Sequence, residues 1–200
     1  MSIAAALKKQ IIKEPKKYTL QEYLHREEKA LHKHEFHNGQ IVRMAGGKSK
    51  HNEIATNITT AIKYTVKSLP TKFRIYNSDQ KIYIQALDKA LYPDALVVCK
   101  EPEYWEGRED LIVNPLLIVE VASASTRSYD RGEKFLLYEL LPSFCEYVIV
   151  EQNKPHVETW FRENETTWKK SVKNTIADTI ALQSLGITVS LSDIYDNISF

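Results

Sequence analysis

An α/β chain with a mixed β-sheet flanked by helices is what this sequence predicts, and three observations carry the prediction. Apolar residues recur at helical spacing between His51 and Leu69. Asn38-Gly39 separates two short strand-like runs. Leu116–Val121 is a nearly continuous apolar run. Helices mixed with strands in this order favour a sheet covered by helices over an all-α or all-β core.

Each element follows from local chemistry. Thr19 followed by Glu22 is a capping-box pair, so a helix is expected over Thr19–Glu28. Asn-Gly supplies the two positive-φ residues of a type I′ turn, which pairs His37 with Gln40, Phe36 with Ile41 and Glu35 with Val42; Gly46-Gly47 ends this hairpin. Ile54, Ile58, Ile62, Val66 and Leu69 form one stripe of an amphipathic helix that Pro70 closes. Strands are expected at Lys72–Tyr76, Gln80–Gln85 and Tyr92–Cys99, with a loop over Pro102–Asp110. The Leu116–Val121 run suits a strand buried on both faces. Asp130, with Glu133 three residues on, predicts the N-cap of a helix running to Leu141 and stopped by Pro142. Further strands are expected at Glu146–Glu151, Val157–Arg162 and Thr167–Val172, and one short turn at Ser192–Tyr195.

Composition narrows the function classes. The chain has 200 residues, with 27 Lys and Arg against 26 Asp and Glu, a formal charge of +1. Nucleic acid, if bound, must meet a local patch rather than a uniformly basic surface. Cys99 and Cys145 lack zinc-site spacing and read as reduced thiols. No apolar run approaches the roughly 20 residues of a membrane span, and Met1–Leu7 lacks the basic region of a signal peptide, so a cytoplasmic protein without a membrane partner is expected. Lys8, Lys9, Lys13, Lys16 and Lys17 make the start basic. This arm is expected to be flexible, although a phosphate-gripping role also fits.

Two carboxylates stand out. Asp94 lies in Tyr92-Pro93-Asp94-Ala95-Leu96-Val97-Val98, and Glu120 in Leu116-Leu117-Ile118-Val119-Glu120-Val121. Alternation puts Asp94 on the face of Leu96 and Val98, and Glu120 on the face of Leu116, Ile118 and Ala122. Burying an ionised carboxylate costs several kcal/mol unless it is compensated. Either residue alone is better explained as a strand-end cap or an ion-pair partner. Two together in strands this apolar favour a shared cation, and magnesium suits a few carboxylates plus water and phosphate.

Lys134 follows the Glu120 strand and could orient a water or stabilise charge on phosphate. On spacing alone a helix-surface ion pair with Asp130 is the better explanation. Glu35 and His51 could reach a central site. A solvent-facing strand residue and a helix-start residue bonded to backbone are their ordinary alternatives. Asp79 is a further candidate acid, or a strand terminator. His32, His34 and His37 cluster around Glu35, but alternation separates His34 from His37, which weakens a zinc site. Trp105, Trp160 and Trp168 offer base stacking or, by default, core packing.

These stretches, with Lys50-His51-Asn52, Asn114-Pro115, Ser123-Ala124-Ser125-Thr126 and Tyr129-Asp130-Arg131-Gly132-Glu133-Lys134, resemble the Uma-type family of bacterial restriction endonucleases, within the PD-(D/E)XK nuclease superfamily. The resemblance runs from about Tyr18 to Tyr195. It implies a restriction-endonuclease-like domain over 18–200 after a basic arm over 1–17. It implies magnesium, or manganese in its place, held by Asp94, Glu120 and the backbone carbonyl of Val121. The implied reaction is phosphodiester hydrolysis of DNA by a metal-activated water. Lys134 stands in for the motif lysine, Glu35 supplies a further catalytic acid, and His51 and Asp79 support the ligands. Two departures are visible: Ala122 occupies the strict motif's lysine position, and Ala124 replaces a common proline. Enzymes that cut both strands often work as two-fold homodimers. A catalytically weak nucleic-acid- or protein-binding module is the alternative, supported by the near-neutral charge and the missing motif lysine. A two-carboxylate glycosidase suits the buried strands and nearby lysine less well.

Overall fold

A computed structural model describes residues 16–123 and 126–200. Most of the basic arm, and Ala124, lie outside the described residues. The first helix, α1 (Leu20–Glu27), begins as its residues dictate. Thr19 accepts from the Glu22 N–H at 3.2 Å, while the Thr19 N–H donates back to the Glu22 carboxylate at 2.8 Å. Strands β1 (His34–His37) and β2 (Gln40–Arg43) pair in the expected register, His37 opposite Gln40 and Glu35 opposite Val42. Asn38 and Gly39 both take positive φ, 46° and 91°, as a type I′ turn requires. A Cβ on Gly39 would also stand 3.2 Å from the Lys17 side chain.

Helix α2 (Ser49–Val66) buries Ile54, Ile58, Ile62 and Val66 of the expected stripe, but it ends before Leu69 and Pro70, and Leu69 packs half-buried from the turn that follows. After it come β3 (Phe73–Asn77), β4 (Lys81–Ile84), β5 (Lys89–Leu91), β6 (Ala95–Cys99), β7 (Leu111–Ile112) and β8 (Leu117–Ala122). The strand expected over Tyr92–Cys99 is therefore shorter. Pro93 offers no N–H to a ladder, and Asp94 sits in the bend just before β6.

The single helix expected from Asp130 to Leu141 is two short ones, α3 (Arg127–Arg131) and α4 (Glu133–Tyr138). They break at Gly132, with φ −113° and ψ −95°. Asp130 is thus not an N-cap but a buried residue inside α3. Strands β9 (Glu146–Glu151), β10 (Val157–Arg162) and β11 (Trp168–Lys173) follow. The hairpin β12 (Thr179–Leu182) and β13 (Ile187–Ser190), which sequence reading missed, leads into α5 (Leu191–Ile194).

The larger sheet runs β11-β10-β9-β8-β6-β3, and the smaller β2-β1-β5-β4-β7. Both are mixed, since β8–β9 and β4–β7 pair in parallel among antiparallel neighbours. One face of the larger sheet carries Ala95, Val97, Leu117, Val119 and Val121 against α2, α5 and the β12–β13 hairpin. The other carries Leu96, Val98, Ile118 and Ala122 against Leu137 and Tyr138 of α4 and Ile82 and Ile84 of β4. Leu116, expected on the second face, packs with the first, because it precedes β8 and escapes its alternation. No described helix is long and apolar enough to cross a membrane.

Candidate active site

Strand β6 pairs antiparallel with β8, Ala95 opposite Val119. One step further along this register Asp94 meets Glu120. The Asp94 Oδ2 accepts from the Val121 N–H at 2.7 Å, and Oδ1 lies 2.9 Å from Nε2 of His51. His51 reaches it from the first turn of α2. The bond to Asp94 raises the His51 pKa, burial lowers it, and the charges of Asp94 and Asp130 together with the Val121 backbone leave it raised.

Glu120 is 3% exposed and Lys134 6%. Lys134 Nζ lies 2.7 Å from Glu120 Oε1, which also accepts from the Tyr138 hydroxyl at 2.7 Å. Burial pushes Glu120 up to about 8; Lys134 opposes this, and the Asp94 and Asp130 charges add to it. Burial works against the Lys134 ammonium, but Glu120, Glu35, Asp130 and Asp94 hold its pKa above the ordinary range.

Glu35 is buried on β1. Its Oε2 lies 3.1 Å from Nε2 of His37, and its Oε1 accepts from the Tyr92 N–H at 3.3 Å. Burial raises its pKa, but His37, the Lys134 charge and Tyr92 bring it below the ordinary carboxylate value. Four of the residues singled out in sequence, Asp94, Glu120, Lys134 and Glu35, therefore share one electrostatic environment, with His51 bonded to Asp94. Asp79 does not join them: it is exposed, and its carboxylate pairs with Lys33 at 2.6 Å. Nor do the histidines gather as a metal cluster. His34 bonds Glu27, His37 bonds Glu35, and no three metal-ligating side chains converge among the described residues. Trp160 and Trp168 pack on Phe135, and Trp105 on Tyr83.

Sequence reading missed Asp130 and Tyr138 as members of this environment. Asp130 is 4% exposed, with a pKa raised by burial and lowered by Lys134. A signal existed, since Asp130, Lys134 and Tyr138 recur every four residues, a helical face. The break at Gly132 preserves the common direction on two helices. Arg127 grips Glu151 through two 2.7 Å bonds, and Arg131 bridges Glu151 and Glu158 at 2.8 and 2.6 Å. These contacts tie α3 to the ends of β9 and β10, and so fix where α4 begins.

Two mixed sheets flanked by helices, with carboxylates near adjacent strand ends and a buried lysine on α4, make up a restriction-endonuclease-like fold. The same architecture occurs in a crystal structure described as "a putative nuclease belonging to DUF820" from Anabaena variabilis, at a TM-score of 0.69 and 15% identity over 91% of this chain and 99% of that one. A family model described as "Putative restriction endonuclease" matches residues 20–192, and the chain belongs to that family, Uma2. Two uncharacterized proteins of Synechocystis sp. are similar: slr1290, 32% identical over 92% of this chain and 94% of its own length, and sll1609, 31% identical over 75% and 84%.

Proposed function

We propose that this chain is a metal-dependent endonuclease that hydrolyses phosphodiester bonds of DNA. The observation that carries the reading is the buried Lys134–Glu120 contact beside Asp94 at the end of β8. Family membership supports the nuclease class. A divalent cation fits the donor set. Burial and the charges of Asp94 and Asp130 outweigh the relief that Lys134 offers Glu120, and a further cation would offset that excess. Asp94, Glu120 and the Val121 carbonyl would hold magnesium, or manganese in its place, a set of hard oxygen donors that leaves room for water and phosphate. When bound, such an ion supplies positive charge toward the phosphate and acidifies water.

The chain's own groups do the rest. Lys134, kept protonated by the surrounding carboxylates, offers fixed positive charge to phosphate oxygens as a water attacks phosphorus and the P–O ester bond breaks. His51 and the Val121 N–H fix the Asp94 carboxylate. Glu35 adds negative charge that helps keep Lys134 cationic.

The test is nicking of supercoiled plasmid in magnesium against EDTA, with magnesium-induced stabilisation measured beside it. At a hundredfold excess over Kd, binding should add about 2.7 kcal/mol. Asp94→Ala should remove both the nicking and the stabilisation; retained cleavage in that variant would sink the reading. A binding module with little turnover is the second reading. It is favoured by Asp94, whose two oxygens are both already engaged, and by Ala122 at the motif-lysine position. Cleavage in magnesium but not in EDTA would exclude it. Light scattering of the same preparations reads out whether two copies pair.

A further inference from the structure

A cavity of about 350 Å³ opens beside Asp94 and His51 and runs along α2 past Thr56, Thr59 and Thr60. It shares Thr59, Thr60 and Asn77 with a second cavity, which shares Lys63, Ile75 and Tyr76 with a third. The three form one groove between α2 and β3, the edge strand of the larger sheet. From His51 to Val66 the helix rises about 22 Å. Near the site the groove is lined by hydroxyls and amides. Its far end carries Lys63, Lys67, Lys72 and Lys100.

Charge along this path is lopsided. Two acids line the far part of the groove, Asp79 and Glu101, and each is neutralised, by Lys33 at 2.6 Å and by Arg74 at 2.6 Å. The four lysines are exposed, and none has a carboxylate within ion-pair distance among the described residues. Four uncompensated positive charges on one face of a chain whose formal charge is +1 make a local polyanion site.

We infer that this groove seats the sugar–phosphate backbone of one strand of duplex DNA and leads it to Asp94. The inference rests on the nuclease reading only for where the strand ends. Hydroxyl and amide groups with lysines are the chemistry of backbone contact. Phe73 and Tyr76 are the aromatics lining it, and both are half-buried and packed against the cores of the larger sheet, whereas single-strand binding relies on series of exposed stacking platforms. At 3.4 Å per base pair along a strand, the α2 edge spans about six steps.

The experiment measures anisotropy of a fluorescent 16-base-pair duplex in EDTA across a salt series. It compares wild type with the Lys63→Gln, Lys67→Gln, Lys72→Gln, Lys100→Gln variant. Four phosphate contacts contribute about 3.6 to the slope of log K against log salt. The groove variant should lose that much slope, and the roughly 100-fold salt-dependent change in affinity it produces between about 50 and 200 mM. A control with Lys29→Gln, Lys154→Gln and Lys169→Gln should bind like wild type. Unchanged melting temperatures separate lost binding from lost folding. An unchanged slope in the groove variant, tighter binding of the single-stranded oligonucleotide, or no wild-type binding at low salt would each overturn the inference. Wild type that binds as described but never nicks plasmid supports the groove while refuting the nuclease reading.

Discussion

Replacing Lys134 with methionine removes the cation that lies 2.7 Å from Glu120 Oε1 and leaves the carboxyl in nearly complete burial. Breaking a buried pair in this way costs about 3–5 kcal/mol if the remaining charge persists. Glu120 can escape by holding a proton, and burial has already pushed it up to about 8 in the intact protein. Without Lys134, the force that opposes burial most, its pKa rises further. The sign follows from linkage. A carboxyl whose folded pKa exceeds its unfolded value of about 4.3 contributes stability that is fully present below that pH and is lost as pH rises, by about 1.4 kcal/mol per unit, until the folded pKa is passed. In wild type this loss ends near pH 8; in Lys134→Met it continues. Between about pH 8 and pH 9.5 the variant should therefore lose about 2 kcal/mol that wild type keeps. Urea denaturation at pH 5, 7, 8 and 9.5 measures the gap. With Glu120→Gln added to Lys134→Met, nothing at this position titrates, and the variant's extra loss between about pH 8 and pH 9.5 should vanish. A gap in the single variant that does not widen above pH 8 would refute the account of Glu120.

Gly132→Ala would place a Cβ 3.0 Å from the Ser128 carbonyl, a backbone atom, so the α3–α4 junction must shift by a few tenths of an ångström. Nicking should fall several-fold while melting changes little, since a 1 Å misplacement of positioned groups can cost about 100-fold. Glu158 is held down at about 2; burial opposes its charge, but His156, Lys170 and Arg131 outweigh it. Its contribution is present above pH 4.5 and is lost as pH falls toward 2, so Glu158→Gln should flatten the acid limb of the stability profile in that window, read by urea midpoints. Ile58→Ala empties a fully buried position of α2 and should cost about 2–5 kcal/mol, seen in the same midpoints.

Local chemistry made much of the fold legible. The Thr19–Glu22 capping box, the Asn38-Gly39 turn with its register and the α2 stripe depend on residues within a few positions of one another, and all three form, the stripe as far as Val66. The α3–α4 break was not legible. Asp130 and Glu133 imitate a helix start, while the residue that divides the helices is Gly132, whose tolerance of its backbone shape leaves no periodic mark. The β12–β13 hairpin was missed because its strands are short and half exposed, and their pairing is decided by packing on α2 and the larger sheet.

The candidate site divides along the same line. By itself the sequence determined that Asp94 and Glu120 stand in apolar surroundings, because burial of a charge is costly enough that such a context is informative. For Lys134 its spacing favoured a surface ion pair with Asp130 over a place beside the carboxylates. Tertiary structure decided that Lys134 pairs with Glu120 rather than turning to solvent, that Asp130 joins the buried charges, and that Asp79 goes to Lys33. Those outcomes turn on distances between side chains brought together by the antiparallel β6–β8 pairing and the turn at Gly132. Coulomb and hydrogen-bond energies change steeply over a few ångströms, while spacing along a chain specifies direction only within one element.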